Sequence, residues 1–506
     1  MSSKIFSAAM IGLDAHLIEV EADYGGGPGG KMIIVGLPDI AIQESKERVW
    51  SAIKNSGLDL LRFCIRINLA PADIKKQGPA YDLPIALSIL TAAGQLPSFD
   101  VHKNLFVGEL ALNGDLRPVS GVLPITLMAK AKGFERVFVP MLNMEEAGLV
   151  PGIKIIPISS LSEVFLYLQK KKDIEPYITN KKYFENEFIS SFDFAFVRGQ
   201  EHVKRALEIA AAGAHNILMS GPPGSGKTLL ARAIPTILPR MTLEESLEVT
   251  KIYSVAGLLP KEQPLIIERP HRAPHHTASG VALVGGGAWP RPGEISLAHR
   301  GILFLDEFPE FPRQVLENLR QPLEDGIVSI SRAQGTLTFP ANFILVAAMN
   351  PCPCGYLTDT QKKCICSQVQ ILNYQKKISG PLLDRIDLHV DVPRVEFEKL
   401  TGRARSEESE LIRNRVQKAR NLQLERFKQE KIITNSEMSS EQVKKYCAVN
   451  ELTMRILRGA MDNLHLSARS YFRILKLART IADLSGQENV LQEHVAEALQ
   501  YRPRVE

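Results

Sequence analysis

One short segment limits what this chain can fold into more than any other. Residues 221–228 match the pattern G-x-x-x-x-G-K-[ST], follow an apolar stretch at 216–220 and precede a helical pattern at 229–234. In this strand–loop–helix setting, backbone N–H groups surround phosphate oxygens, and the helix N-terminus adds positive potential. The segment therefore predicts an α/β fold with a nucleotide site, where Lys227 reaches the β- and γ-phosphates and Thr228 ligates Mg²⁺. The predicted nucleotide-binding residues of this loop are Gly221, Pro222, Pro223, Gly224, Ser225, Gly226, Lys227 and Thr228.

Two carboxylates follow a second apolar stretch. Residues 302–305 are typical of a buried strand, and Asp306 and Glu307 come directly after them. Open α/β sheets bind ligands at the carboxyl ends of their strands. We therefore expect Asp306 to hold Mg²⁺ and Glu307 to orient and deprotonate the attacking water. The alternative is a strand end that carries two solvated acids.

A polar amide ends a third apolar stretch, residues 343–349. Asn350 stands at its tip, where an amide can hold the water or the γ-phosphate. A turn-forming asparagine before Pro351 explains the local sequence equally well.

The chain divides into four segments, which suits a length of 506 residues and about three domains. The first and third alternate strand-like and helical patterns, and the fourth is mostly helical. The predicted segments are a first domain at 1–170, a linker at 171–195, a core at 196–398 and a helical region at 399–506. In the first domain, strands are predicted at 32–35, 64–68 and 137–139, and helices at 41–56 and 83–93.

The composition predicts a soluble, reduced, cytoplasmic protein without a membrane partner. Apolar residues make up 45% and charged residues 23% of the chain. The longest mostly apolar stretch, residues 83–96, is too short to cross a bilayer, and the start lacks the pattern of a signal peptide. A net charge of +5 permits a nucleic-acid partner but does not indicate one.

Four cysteines lie close together after Asn350. Cys352, Cys354, Cys364 and Cys366 form two C-x-C pairs, a spacing that departs from the usual zinc pattern. A structural Zn²⁺ site, reduced thiols and a disulfide all remain open. Cys64 in a strand and Cys447 in a helix are predicted core residues.

Four further stretches carry a resemblance that covers nearly the whole chain. They are residues 67–73 (INLAPAD), 293–299 (GEISLAH), 350–355 (NPCPCG) and 380–387 (GPLLDRID). With these stretches the chain resembles the magnesium-chelatase-like family of bacterial AAA+ proteins, the YifB/ComM group. The resemblance implies an ATPase that uses ATP and Mg²⁺ and works as a homo-oligomeric ring, expected to be a hexamer.

The resemblance also assigns three roles. Asn350 matches the sensor-1 position, and Arg385 matches the arginine finger, which should reach the γ-phosphate of a neighbouring subunit. Arg469 matches sensor 2 on a helical lid formed by residues 399–506. Without the resemblance, either arginine could be an ordinary surface residue or ion-pair partner.

The stretch between the P-loop and Asp306 resembles the insert that interrupts helix 2 in the AAA+ branch of MCM helicases and magnesium chelatase. A second hairpin is predicted at 327–339. In ring motors of this branch such hairpins face the pore, so Arg272, Arg291 and Arg332 are candidates for gripping DNA. The alternative is surface loops with stray arginines. His271, His275 and His276 either ligate a metal or pack within the insert.

Residues 1–170 resemble the protease domain of Lon through 78–82, 108–110, Gly114 and 118–123. A Ser–Lys peptidase needs a hydroxyl and a lysine, but those positions hold Ala80 and Leu123. We therefore expect the fold without proteolysis, in a role that the sequence leaves open among scaffold, ring assembly and DNA contact.

The region 401–431 is rich in Lys and Arg, which predicts either a DNA-facing stripe or, as we favour, a solvated helix. For the whole protein the resemblance implies an ATP-driven DNA motor, a helicase or branch-migration factor of natural transformation or recombination that acts on single-stranded or branched DNA. A chelatase-type motor subunit for metal insertion and a protein unfoldase without protease activity are the alternatives.

Overall fold

The computed structural model divides the chain into two compact units. The first holds Met1–Asn186 with Ser246–Ile267, and the second holds Glu187–Glu245 with Glu268–Glu506. The described residues are 2–28, 31–58, 63–76, 78–97, 100–179, 192–260, 263–287, 290–332, 335–359, 361–395, 407–463 and 467–502. Residues 180–191 of the predicted linker and the predicted boundary at 398/399 lie outside them.

The first unit is built on a seven-stranded mixed sheet with the order β3-β4-β2-β1-β5-β8-β9, beside the small β6–β7 hairpin. Its strands are β1 (Ser2–Ile11), β2 (Asp14–Pro28), β3 (Met32–Val35), β4 (Phe63–Ala70), β5 (Asn104–Phe106), β6 (Glu109–Leu110), β7 (Leu116–Arg117), β8 (Arg136–Pro140) and β9 (Lys154–Ile158). Its helices are α1 (Ile40–Asn55), α2 (Asp82–Ala92), α3 (Val122–Ala131), α4 (Met144–Gly148) and α5 (Leu161–Leu168). The strands and helices predicted for this region are confirmed, and each of their ends lies within two residues of the predicted one.

Helix α2 is the centre of this unit, and ten of its eleven residues are buried. Its sequence is apolar on every side, which is typical of a helix enclosed by protein. Ala80 and Leu123, the residues at the two peptidase positions, lie before and after this helix in the chain. Ala80 lies in a single 3₁₀ turn, Pro79–Tyr81, and Leu123 is a fully buried residue of α3.

The second unit contains a five-stranded sheet with the order β11-β14-β17-β10-β18, and every neighbouring pair in it is parallel. This confirms the mixed α/β class with a parallel sheet. Its strands are β10 (Ile217–Ser220), β11 (His271–Arg272), β12 (Gly285–Gly286), β13 (Arg291–Pro292), β14 (Ile302–Leu305), β15 (Ile327–Arg332), β16 (Gly335–Pro340), β17 (Ile344–Met349) and β18 (Leu388–Asp391).

Helices cover this sheet and form the C-terminal part of the unit. They are α6 (Glu201–Gly213), α7 (Lys227–Ala233), α9 (Gly280–Val284), α10 (Glu294–Leu297), α11 (Arg313–Glu317), α12 (Arg320–Asp325), α13 (Gln368–Gln375), α14 (Gly380–Leu383), α15 (Ser409–Arg426), α16 (Ser440–Tyr446), α17 (Glu451–Asn463), α18 (Ala468–Leu484) and α19 (Gln492–Gln500). Helix α8 is Leu243–Ala256, and its residues from Ser246 onward belong to the first unit.

Strands β14 and β17 are buried along their whole length. Continuous apolar strands are what a parallel sheet requires, because helices cover both of its faces. In a parallel sheet all carboxyl ends meet at one edge. The polar residues that follow β10, β14 and β17 in the sequence are therefore brought to the same edge.

Two antiparallel hairpins stand beside the sheet, β12–β13 and β15–β16. They approach each other closely, since a Cβ added at Gly285 would lie 3.3 Å from Cδ1 of Ile330. The predicted hairpin at 327–339 is thus present. Its turn, residues 333 and 334, lies outside the described residues.

The predicted helical region contains two separate helices around Cys447, α16 and α17. The side chain of Asn450 accepts a hydrogen bond from the backbone N–H of Thr453, which starts the second helix. Cys447 follows the end of α16 and is buried, so its predicted burial is correct but its place within a helix is wrong.

The basic helix α15, predicted to be solvated, is exposed on one side and buried on the other. Its Arg420 is buried and donates hydrogen bonds to the carbonyl oxygens of Ala211 and Ala212. Its Arg426 pairs with Asp483 at 2.5 Å. Both arginines are therefore paired inside the unit, with partners that lie far away in the sequence.

Across the residues the structure describes, no helix combines the length and hydrophobicity needed to span a membrane.

Candidate nucleotide site

The loop between β10 and α7 is shaped by its glycines. Gly226 has φ of 89°, a left-handed conformation that glycine adopts without strain, and α7 begins at the next residue, Lys227. Gly221 lies so close to β18 that an added Cβ would be 2.2 Å from the carbonyl oxygen of Val392. The loop can therefore pass tightly from strand to helix with its backbone exposed to a ligand.

Lys227 is mostly buried in this loop. Its Nζ donates hydrogen bonds to the carbonyl oxygens of Gly221 at 2.7 Å and Pro222 at 3.0 Å. It also reaches Oδ1 of Asn350 at 3.3 Å. Burial lowers the pKa of Lys227, and the charge of Asp306 opposes this effect. The structure thus brings the predicted sensor amide and the loop lysine together.

The two predicted Mg²⁺ ligands touch. Oγ1 of Thr228 donates a hydrogen bond to Oδ2 of Asp306 at 2.8 Å. The other carboxylate oxygen of Asp306 accepts from the backbone N–H of Glu307 at 2.9 Å. A hydroxyl and a carboxylate oxygen side by side form the ligand set that hard divalent cations prefer, so these residues fit Mg²⁺.

Glu307 leaves the strand end in a left-handed conformation, with φ of 51°, and its side chain is 58% exposed. Oε2 of Glu307 lies 3.3 Å from Nδ1 of His276. The ring of His276 in turn lies against that of His275, with 4.1 Å between their centroids. The glutamate is free to face a ligand while one histidine steadies it.

Two residues at this site escaped the sequence analysis in their roles. Nε2 of Gln200 donates to the carbonyl oxygens of Ser225 at 2.7 Å and Pro393 at 2.9 Å, and so joins the phosphate loop to the end of β18. For His276 the sequence predicts only a metal ligand or a packing residue. Neither contact has a local sequence signal, because each joins residues far apart in the chain.

Arg385 and Arg469 are not near Lys227. Arg385 lies three residues before β18 and therefore at the amino edge of the sheet, opposite the phosphate loop. Arg469 lies with it, because both arginines donate hydrogen bonds to the carboxylate of Glu324. The structure thus separates the predicted site residues into two groups at opposite edges.

The three candidate DNA contacts differ in their surroundings. Arg272 forms a bidentate pair with Glu294, at 2.6 and 2.7 Å. Arg291 is exposed in the β12–β13 hairpin. Arg332 ends strand β15, but its side chain lies outside the described part of the chain.

The four cysteines after Asn350 converge. Their Sγ atoms all lie within 4.8 Å of one another. Three of the separations are 3.4, 3.6 and 3.7 Å, close to the edge of about 3.8 Å expected of a tetrahedral site with Zn–S bonds of about 2.3 Å. Hydrogen bonds from the backbone of Tyr356 and Ile365 lower the pKa of Cys354 to about 6. The geometry and donor set fit Zn²⁺.

The described residues contain no comparable cluster around His271, His275 and His276.

The cysteine loop also contacts the nucleotide site. A Cβ added at Gly355 would lie 2.6 Å from Cδ of Pro223, so the backbone of this loop packs directly on the phosphate loop.

The parallel sheet, phosphate loop and acidic strand end define the class of this protein: it is a P-loop protein of the AAA+ type. Three family models match the chain. They are "Magnesium chelatase, subunit ChlI" at residues 193–400, "Subunit ChlI of Mg-chelatase" at 18–143, and "Magnesium chelatase, subunit ChlI C-terminal" at 406–502.

Relatives extend the match to the whole chain. The competence protein ComM of Haemophilus influenzae is 43% identical over 506 residues, which cover 99% of this chain and 97% of ComM. The uncharacterized protein YifB of Escherichia coli is 41% identical over 502 residues, again 99% of this chain and 97% of the relative. The chain therefore belongs to the YifB/ComM family of magnesium-chelatase-like proteins, as its motifs predicted.

The likeness to Lon is partial. The Lon protease of Aster yellows witches'-broom phytoplasma is 30% identical over 162 residues, which cover 29% of this chain and 20% of Lon.

Proposed function

We propose that this protein is an ATP-driven motor that works on single-stranded or branched DNA as a homo-oligomeric ring, expected to be a hexamer. Its use would be helicase or branch-migration activity in natural transformation or recombination, in keeping with the competence named for its relative ComM. The observation that carries the proposal is the position of Arg385 at the amino edge of the sheet, one strand length away from the phosphate loop at the carboxyl edge.

That separation follows from the parallel strands. Strands β10 and β18 are parallel neighbours, and Ile217 pairs with Leu388. The phosphate loop follows the carboxyl end of β10, whereas Arg385 precedes the amino end of β18. Strand β10 has four residues, or about 13 Å of rise. An arginine there cannot serve the phosphate loop of its own chain, which supports a role at the γ-phosphate held by another subunit. The same argument applies to Arg469.

The residues at the carboxyl edge have separate roles in hydrolysis. Lys227 and the backbone of the phosphate loop bind the triphosphate, and Asn350 positions the attacking water. Thr228 and Asp306 would hold Mg²⁺, which neutralises phosphate charge when bound. Glu307 takes a proton from the water, and His276 steadies its carboxylate for this step.

Contact with DNA would come from the paired hairpins. Arg291 and Arg332 are our candidates for the phosphate backbone, because a guanidinium binds phosphate oxygens in a bidentate manner. Arg272 would have to give up Glu294 before it could bind DNA, so its role is better supported as a brace within the predicted insert. Residues 399–506 would serve as the helical lid, and 1–170 as a Lon-like domain without proteolysis.

We further propose a structural Zn²⁺ at Cys352, Cys354, Cys364 and Cys366. A cytoplasmic location, where thiols stay reduced, is part of the same proposal.

ATPase assays separate this proposal from its alternatives. The purified protein is assayed alone and with single-stranded DNA, forked DNA, unfolded protein or a tetrapyrrole. We expect stimulation by DNA, lost in Arg332→Ala with nucleotide binding unchanged, and retained in the control Arg313→Ala, which removes an exposed arginine of α11. Stimulation by the tetrapyrrole alone would favour a chelatase motor, and by unfolded protein alone an unfoldase.

A mixing experiment tests the shared site. Glu307→Gln should bind ATP without hydrolysing it, and Arg385→Ala should not turn over. A mixture of the two should recover part of the activity, because some interfaces then combine an intact Glu307 with an intact Arg385. Normal turnover by Arg385→Ala alone would overturn the proposal.

A further inference from the structure

One carboxylate holds both arginines of the amino edge. Glu324 lies near the end of α12, and its two oxygens have different partners: Oε2 accepts from Arg385 and Oε1 from Arg469. The Glu324 side chain is 41% exposed, so it lies at the surface where a neighbouring subunit would approach. A carboxylate shared between two guanidinium groups has the same charge sign and acceptor geometry as one face of a phosphate.

Arg385 is folded back onto its own subunit. Its side chain is only 10% exposed. Its Nη1 donates to the carbonyl oxygen of Pro381 at 2.7 Å, and its buried Nε has no hydrogen-bond partner among the described residues. An arginine that is to reach across an interface must leave this arrangement, and the bond to Glu324 opposes its departure.

The cleft beside Glu324 carries more positive than negative charge at this point. Arg473 lies one helical turn after Arg469 on α18, and within the described part of the chain its buried Nη1 has no hydrogen-bond partner. Its Nε is 3.8 Å from Asp387, a carboxylate already bonded to His215 at 3.2 Å. Arg385, Arg473 and Glu324 line the same cleft of about 430 Å³.

The charges of these arginines act on Glu324. Partial burial alone would raise the pKa of Glu324, but the hydrogen bond from Arg385 and the charges of Arg385, Arg469 and Arg473 outweigh it and lower the pKa. Glu324 is therefore ionised at neutral pH, and three guanidinium groups face it. Glu324 and Asp387 together carry two negative charges against the three guanidinium groups, so this cluster can accept a further anion.

We propose that Glu324 is a positioning residue that substitutes for the γ-phosphate as the binding partner of Arg385 and Arg469. It holds both arginines in the free subunit and releases them to the nucleotide of the neighbouring subunit. The inference rests on the proposed function, because it requires the two arginines to act across an interface. Its consequence is a cost of ring assembly. Each subunit must break the two bonds to Glu324 before its arginines bind phosphate.

Glu324→Gln tests the inference, because it removes the charge and nearly preserves the shape. Assembly is measured by mass photometry against protein concentration, with ATP and in the Glu307→Gln background, which holds ATP without hydrolysing it. We expect the midpoint of assembly to move to a concentration about threefold lower, the change that two partly exposed ion pairs support. In chains with intact Glu307, kcat at saturating protein concentration should stay within about twofold of the unsubstituted protein, since the arginines contact the same phosphate once assembled.

Three controls make the result specific. Glu317→Gln removes an arginine-paired acid of the preceding helix α11 and should leave the midpoint unchanged. The effect of Glu324→Gln should vanish when Arg385 and Arg469 are both alanine, because nothing is then released. Glu324→Asp keeps the charge on a shorter side chain, and its assembly midpoint should fall between those of Glu324→Gln and the protein with intact Glu324. If Glu324→Gln does not fold, the midpoint of Glu324→Asp tests the inference instead.

An unchanged midpoint in Glu324→Gln, or a lower kcat at saturating protein concentration, would overturn the inference, since Glu324 would then be inert or would support the working position of the arginines. These results differ from a failure of the proposed function. In that case Glu307→Gln would not assemble with ATP, or Arg385→Ala would hydrolyse ATP normally.

Discussion

The hydroxyl of Thr228 and the carboxylate of Asp306 are joined by a hydrogen bond of 2.8 Å, although 77 residues of sequence separate them. Neighbouring parallel strands cause this approach. Strand β17 lies between β10 and β14 in the sheet, and all three end at the same edge. The contact shows how a phosphate loop and a distant acid combine into one cation site.

Removing the hydroxyl should weaken Mg²⁺ binding more than nucleotide binding. We expect Thr228→Ala to need about tenfold more Mg²⁺ for half-maximal ATP hydrolysis, because one of two ligands from the chain is lost. Thr228→Ser keeps the hydroxyl and serves as the control. Mg²⁺ titrations at saturating ATP give the measurement, and equal Mg²⁺ requirements in both variants would remove Thr228 from the cation site.

Gly355 should be needed for nucleotide binding although it lies outside the phosphate loop. It has φ of 84°, and an added Cβ would lie 2.6 Å from Cδ of Pro223. We expect Gly355→Ala to cost about 1–3 kcal/mol of stability through backbone strain and overpacking, and to weaken ATP binding as Pro223 moves.

The matched control is Gly459→Ala. Gly459 lies in helix α17 with no atom within 4 Å of an added Cβ. Alanine there should raise stability by about 0.5–1 kcal/mol and leave ATP affinity unchanged. Urea unfolding and ATP titration measure both effects. Wild-type affinity in Gly355→Ala would show that the cysteine loop does not support the phosphate loop.

The cysteine cluster should bind one Zn²⁺ per chain. We expect Cys364→Ser to weaken zinc affinity by at least about 100-fold, since losing a ligand costs more than losing an outer partner. Cys64→Ser removes a thiol outside the cluster and should retain the metal. Metal analysis of the purified proteins and a chelator competition measure this, and an unsubstituted chain that is free of zinc would leave the reduced-thiol alternative.

The sequence was informative where residues follow strands directly. Asp306 and Asn350 each come directly after an apolar stretch, and the phosphate loop with Lys227 follows another, so the parallel sheet brings all three to one edge. Their motifs are local, and they also predict the family. The edge to which Arg385 belongs follows from its place before β18, but only once the strand order is known.

Other features depend on contacts between distant residues and leave no local pattern. The charges of α15 suggest a solvated helix because Lys and Arg are usually exposed. Their partners, such as Asp483 for Arg426, come from other helices. Glu324 and the contact of His276 with Glu307 have no sequence signal for the same reason. Neither stands in a motif, and each acquires its meaning only from the charged residue that packing places beside it.

His389 should make stability depend on pH. Burial, followed by the charge of Arg502, lowers the pKa of His389 to about 4, and none of the residues that the structure describes forms a hydrogen bond with its Nε2. In the unfolded chain the pKa is about 6.5, so between pH 6.5 and 4 the unfolded state binds the proton and the folded state does not. Stability should therefore fall as the pH drops through this window, by about 2 kcal/mol at pH 5. Urea unfolding at pH 7 and 5 should show this loss in the unsubstituted protein and in a variant of the exposed His16, but not in His389→Leu. An equal loss in His389→Leu would assign the pH dependence to other groups.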